Sequence, residues 1–161
     1  MPIDLSDPAN CTSFKTKRFS RLIARQCDVE LASSGLKTSQ YSLLTHVLRR
    51  GPLNLSDLAL RMGLSLATLS RNLKPLEDQG WVLRTTGGDA RVRMVTITHA
   101  GTSKQQETHK LWELAQQRIN SLIGIDDVLA LHAVINRCTT NVQRALLAEA
   151  QKAQAERSAP A

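Results

Sequence analysis

Ser65, Ala67, Thr68, Arg71, Asn72 and Lys74 crowd into one short stretch, many of them three or four residues apart. On a helix that spacing lines side chains along one face. Their common chemistry is hydrogen bonding to flat or anionic partners. Arginine forks onto a phosphate or a guanine edge, asparagine matches adenine, lysine is a point charge, and hydroxyls hold either phosphate or a base edge. Leu66, Leu69, Leu73 and Leu76 step by i, i+3, i+7 and i+10 and predict a buried stripe on the other side. Ser56 and Ser65 stand where helix N-caps belong, and a helix N-terminus offers backbone N–H groups to phosphate. A solvated helix face is the plain alternative for each of these residues. A short basic, hydroxyl-bearing helix held by one leucine stripe favours nucleic acid.

A second group follows. Arg84, Arg91 and Arg93 flank the turn-forming segment 86–90, which contains Gly87, Gly88 and Asp89. Asp89 and Arg91 are two apart, close enough for the carboxylate to orient the guanidinium toward a minor groove or its phosphates, with Arg93 as a further backbone contact. Arg84 at the end of the preceding strand is a phosphate candidate. The bland reading makes Asp89 a turn former and the arginines solvated strand residues.

The elements that must position these groups are legible. Phe19, Ile23, Cys27 and Leu31 recur at i+4 within an amphipathic helix over 12–31, closed by Gly35. Thr38 caps a second helix over 39–50 that stops at Gly51 and Pro52. Ser56 caps a short helix over 57–62, Gly63 breaks it, and Ser65 caps the next, which runs to about Gln79 with a local irregularity at Pro75. Segments 81–85 and 91–98 predict a hairpin, with Val92, Met94 and Thr96 on one face and Arg91 and Arg93 on the other. Thr98 caps a long helix over 99–123, carrying Leu111, Trp112, Leu114, Ala115 and Leu122. After Gly124, Asp126 caps a last helix on which Val128, Leu131, Ile135, Cys138, Val142 and Ala145 form a heptad-like seam wanting a partner helix. Beyond Glu149 the composition predicts a fraying tail over 151–161. The expected class is mainly α with a small antiparallel β wing: a winged helix-turn-helix domain over 36–98, flanked by long N- and C-terminal dimerisation helices, in one domain.

Charge agrees with that placement. The 161 residues carry a formal net charge of +7, with nine basic against four acidic side chains in 36–98. Cys11, Cys27 and Cys138 show no CxxC spacing, and His46, His99, His109 and His132 no metal-ligand spacing, so no metal is expected. Cys11 and Cys27 lie roughly 24 Å apart if one helix carries both, too far to bridge within a chain. No phosphate-binding glycine loop, nucleophile elbow or matched carboxylate pair points to an enzyme or a cofactor. No stretch approaches a membrane span, and reduced cysteines suit the cytoplasm.

The stretch from Leu55 to Val82 resembles the helix-turn-helix and first wing strand of the MarR family of bacterial transcription regulators. Asp89-Ala-Arg91 resembles its wing signature, and the run from Thr96 to Gly101 its lead into the dimerisation helix. The resemblance covers about residues 10–150. It implies a homodimer with interlocking terminal helices that reads a pseudo-palindromic site in double-stranded DNA as a repressor, with affinity tuned by a small aromatic ligand or by cysteine oxidation. Tyr41, His46 and Trp112 are the ligand candidates this implies, and Cys11, near a helix start and Lys15, the redox candidate. The reading from a different class is a winged-helix module that binds an acidic protein.

Overall fold

Three leucines decide how the middle of the chain packs. In a computed structural model, which describes residues 3, 4, 6–86 and 93–158, Leu69, Leu73 and Leu76 are wholly buried on one face of helix α4 (Leu66–Asp78). They meet Leu43, Leu44 and Val47 of α2 (Thr38–Arg50) and Leu58 of α3 (Leu55–Met62) in one core. Val82 and Val95 close that core from a small sheet formed by β1 (Leu53–Asn54), β2 (Val82–Thr86) and β3 (Arg93–Ile97). The strands lie antiparallel in the order β1-β3-β2, with Leu53 and Arg84 both opposite Val95. Helix α1 (Thr12–Leu31) precedes these elements, and α5 (His99–Ile123) and α6 (Ile125–Ser158) follow. The chain divides into two units, residues 1–117 and 118–161, with the boundary inside α5. The fold is thus mostly helical with a three-stranded wing sheet. Among the described residues no single helix is long and apolar enough to cross a membrane.

Several expectations change. The short strand β1 was not anticipated, because its two residues pair only with the distant β3. Helix α3 begins at Leu55 rather than Asp57: Asn54, in extended conformation, accepts the Asp57 N–H at 2.8 Å and is the cap, which places Ser56 exposed in the first turn. Helix α2 includes Thr38, whose N–H and hydroxyl both donate to Asp28 of α1 at 2.7 Å, so the cap comes from another helix. Leu66 is 52% exposed, since the first turn of α4 projects beyond the core that takes Leu69. On β3 the buried residue is Val95, which shares a strand face with Arg93. Helix α4 continues through Pro75 to Asp78. Helix α6 runs to Ser158, beyond the expected end at Glu149, because the Ala, Gln, Lys and Arg of 150–157 are strong helix formers.

Where α4 gives way to β2, the N–H of Gly80 bonds the Glu77 carbonyl at 2.8 Å and that of Trp81 the Leu76 carbonyl at 2.9 Å. This closing motif needs a left-handed residue, supplied by Gly80 at φ 67°. The start of α5 locks onto the same turn. Thr98 donates its N–H to the Trp81 carbonyl at 3.0 Å and its hydroxyl to the Gly80 carbonyl at 2.8 Å, and the hydroxyl accepts the Gly101 N–H at 2.9 Å. A Cβ at Gly101 would stand 2.0 Å from the Trp81 carbonyl oxygen. Gly101→Ala is therefore expected to destabilise by about 1–3 kcal/mol, the scale of overpacking, although the same change at an open helix site gains about 1 kcal/mol. Urea denaturation checks this, and an unchanged or raised stability would contradict it. By the same method Asn54→Ala should cost about 1 kcal/mol and Ser56→Ala no more than about 0.5 kcal/mol.

Candidate nucleic-acid interface

With the leucine stripe turned inward, α4 must show its other side to solvent. Ala67, Arg71 and Lys74 are exposed there at i, i+4 and i+7, and Leu66 adds an apolar group at the first turn. Ser65 caps the helix, its hydroxyl accepting the Thr68 N–H at 3.2 Å and lying 3.0 Å from Thr68 Oγ1. Both hydroxyls therefore serve the cap, while the first N–H groups of α4 remain free of intrahelical partners. Thr68 and Asn72 are half-buried at the edge of the face. Lys74 pairs with Asp78 one turn on, which holds its ammonium pKa above the ordinary value through the hydrogen bond and the charge of Asp78. Arg71 is left as the exposed α4 cation without an acidic partner among the described residues.

The wing cations divide. Arg93 is exposed on β3 opposite Thr86. Arg84, a phosphate candidate from sequence, is engaged inside the protein: Nε and one terminal nitrogen donate to the two carboxylate oxygens of Glu77 at 2.6 and 2.9 Å. Asp89 and Arg91 lie outside the described residues.

A separate cluster joins α2 to α5 within residues 1–117. Trp112 stacks on His109 with centroids 5.4 Å apart and on Tyr41 at 5.9 Å. The Tyr41 hydroxyl is 2.6 Å from His109 Nδ1, and His109 Nε2 faces the Glu113 carboxylate at 3.6 Å. A proton on Nε2 makes Nδ1 the acceptor of the phenol O–H. Gln105 donates to Thr45 Oγ1 at 3.2 Å and to the Tyr41 hydroxyl at 3.4 Å. Of the three ligand candidates, the structure brings Tyr41 and Trp112 together but not His46, whose Nδ1 lies 2.8 Å from the Ser42 carbonyl of its own helix. His109 takes the expected place of His46. The signal available in sequence was its i, i+3 relation to Trp112, which puts both on one face of α5.

Cys11 is exposed just before α1, and the neighbouring Lys15 donates instead to Asn10 at 2.5 Å. Cys27 is buried, and burial pushes its thiol up, away from reactivity.

This arrangement has clear counterparts. Residues 34–92 match the MarR family. That segment, the helix-turn-helix and the start of the wing, is of the MarR family. An uncharacterized HTH-type transcriptional regulator of Bacillus subtilis, YwoH, is 33% identical over 88 residues, which is 55% of this chain and 64% of that relative, just under two-thirds of its length. The M. tuberculosis transcriptional regulator MosR, solved in complex with DNA, is 28% identical with a TM-score of 0.66, over 80% of this chain and 98% of that one. CouR from Rhodococcus jostii RHA1, solved with p-coumaroyl-CoA, is 21% identical at a TM-score of 0.67, over 83% of this chain and 93% of its own, a likeness of fold. The winged-helix architecture read from the sequence is that of MarR-family structures.

Burial, the largest influence on the Tyr41 phenol, pushes its pKa above the ordinary value near 10, against opposing hydrogen bonds from Thr45 and Gln105. Tyr41 is the single tyrosine, so ultraviolet phenolate absorbance follows one group. The native protein is expected to ionise at higher pH than the urea-unfolded chain, which titrates near 10. The native state then holds its proton longer, so the contribution of Tyr41 to stability is full below about pH 10 and is lost as pH rises through the native pKa. Coincident native and unfolded titrations would contradict burial of the phenol.

Proposed function

We propose that this chain is a MarR-family transcription regulator, acting as a repressor, that binds double-stranded DNA as a homodimer. The outward face of α4 carries the reading: Ala67, Arg71 and Lys74 stand free of the core that holds Leu69, Leu73 and Leu76, behind a helix N-terminus already capped by Ser65. Side chains of this kind at the start of a recognition helix reach base edges in a major groove, while Arg93 and the wing cation Arg91 serve the flanking backbone or minor groove. Complex structures of a relative such as MosR support the choice of DNA.

Dimerisation is supported by what the single chain leaves uncovered. Ile135, Val142 and Leu146 are exposed on α6, as Phe14 and Leu22 are on α1, and large apolar side chains left bare on a helix mark an association face. A two-fold dimer would set two α4 helices one DNA turn apart, roughly 34–36 Å, and select a pseudo-palindromic site. The Tyr41, His109 and Trp112 stack favours an aromatic effector, its imidazole and phenol meeting a polar substituent.

Light scattering should give twice the 17.7 kDa chain mass. Affinity for a duplex that the protein itself selects from a randomised pool should fall steeply with added salt. Arg71→Ala should weaken it by at least tenfold, about 1.4 kcal/mol, with stability changed by no more than about 0.5 kcal/mol. Salt-insensitive or absent duplex binding would instead favour the protein-interaction module. For the effector, Trp fluorescence and duplex affinity should both respond to an aromatic carboxylate in the parent but not in Trp112→Ala, and indifference of the parent across a panel of such acids would remove the idea.

A further inference from the structure

We propose that Glu77 and Arg84 are positioning residues for DNA recognition, their two-pronged ion pair setting the pitch of the wing against α4 while Arg84 itself stays off the phosphates. The proposal rests on the DNA-binding reading above.

Only Gln79, Gly80 and Trp81 separate α4 from β2. The base of the wing is well secured, by the closing bonds at Gly80 and Trp81 and by Thr98 across the turn. Farther out the hairpin has less to hold it. Val82 is buried at its root, whereas Thr85, Thr86 and Arg93 are exposed. Arg84 sits midway, opposite Val95, and shares a strand face with Val82, so its side chain turns back toward α4. There it meets Glu77, on the last full turn of the recognition helix, through parallel bonds of 2.6 and 2.9 Å. A guanidinium fork on a carboxylate fixes orientation as well as distance. The two side chains are only 25% and 22% exposed, so the pair is less screened than a surface one. Lys74 with Asp78 makes the contrast: it is single, well exposed, and joins a helix to itself.

Electrostatics also argue against Arg84 as a phosphate contact. To reach a phosphate it would abandon Glu77, leaving a largely buried carboxylate unpaired beside a polyanion, a costly outcome. Left in place, the pair holds the middle of β2, two residues from Thr86, where the strand leads into the segment carrying Asp89 and Arg91. The wing and the α4 face then meet DNA as one rigid surface.

The test compares the parent with Glu77→Gln, with Arg84→Lys, and with the charge swap Glu77→Arg plus Arg84→Glu, on the duplex the parent selects, at several salt concentrations. Thermal melts confirm that each variant is folded. Glu77→Gln and Arg84→Lys should each weaken binding about tenfold, the order of a lost charge-assisted bond, with a salt slope equal to that of the parent. The swap, which restores a pair without a cation on β2, should recover most of the affinity. If Arg84 grips phosphate instead, Arg84→Lys keeps near-parent affinity, Glu77→Gln binds more tightly, and the slope of the swap drops by about one. Any of these results overturns the proposal, as does parent-like binding by every variant. A parent that selects no duplex at all removes the DNA reading and this proposal together, and so is distinct from failure of the pair alone.

Discussion

Burial of Leu69, Leu73 and Leu76 is the interaction on which the remaining features depend. Each is fully removed from solvent, and burying a leucine side chain contributes about 1.5–3 kcal/mol. Three of them outweigh the roughly 3 kcal/mol that a proline costs inside a helix, which explains why α4 passes through Pro75 without breaking. The same burial fixes the rotation of α4 about its axis. Once the leucines face α2 and α3, Ala67, Arg71 and Lys74 have no direction but outward, and the basic character of the outer face follows from packing on the inner one.

A second constraint holds the wing and the following helix to α4. Gly80, Trp81, Thr98 and Gly101 form a single knot in which the end of α4, the root of the hairpin and the start of α5 exchange hydrogen bonds. Lys104 lies over the Trp81 ring at 5.6 Å and adds a cation–π contact. Helix α5 returns to α2 through Tyr41, His109 and Trp112. Residues 1–117 thus hold their helices and hairpin through a leucine core, a backbone knot and an aromatic stack, each of different chemistry.

How much of this was legible in the sequence depends on the range of the forces involved. Helix periods, the cap at Ser65, the breaks at Gly63 and Gly80 and the presence of two strands after α4 are local, and they read correctly, whereas the buried face of β3 did not, because Val95 and not Met94 meets the core. Leu66 misled because the i+3 rule knows nothing of where the core ends. Asn54 and Ser56 are both good caps, and only the pairing of β1 with β3, forty residues away, places Asn54 in the extended conformation a cap needs. Asp28 caps α2 from α1, and Glu77 holds Arg84 across a helix-to-strand turn, relations with no period for a sequence pattern to display. His109 was passed over for the same reason, since its meeting with Tyr41 depends on how α5 returns to α2. Of the candidates for the interface, Ser65, Ala67, Arg71, Lys74 and Arg93 stand exposed, Arg84 is turned inward, and Asp89 and Arg91 lie outside the described residues.

The central claim is that the outer face of α4 reads a major groove, and chemical protection of guanine N7 tests it most directly, because that atom lies on the major-groove edge. On a duplex selected by the parent protein, the account predicts two protected patches whose centres are about one helical turn, 10–10.5 base pairs, apart. Unprotected guanine N7 throughout a bound duplex would contradict it.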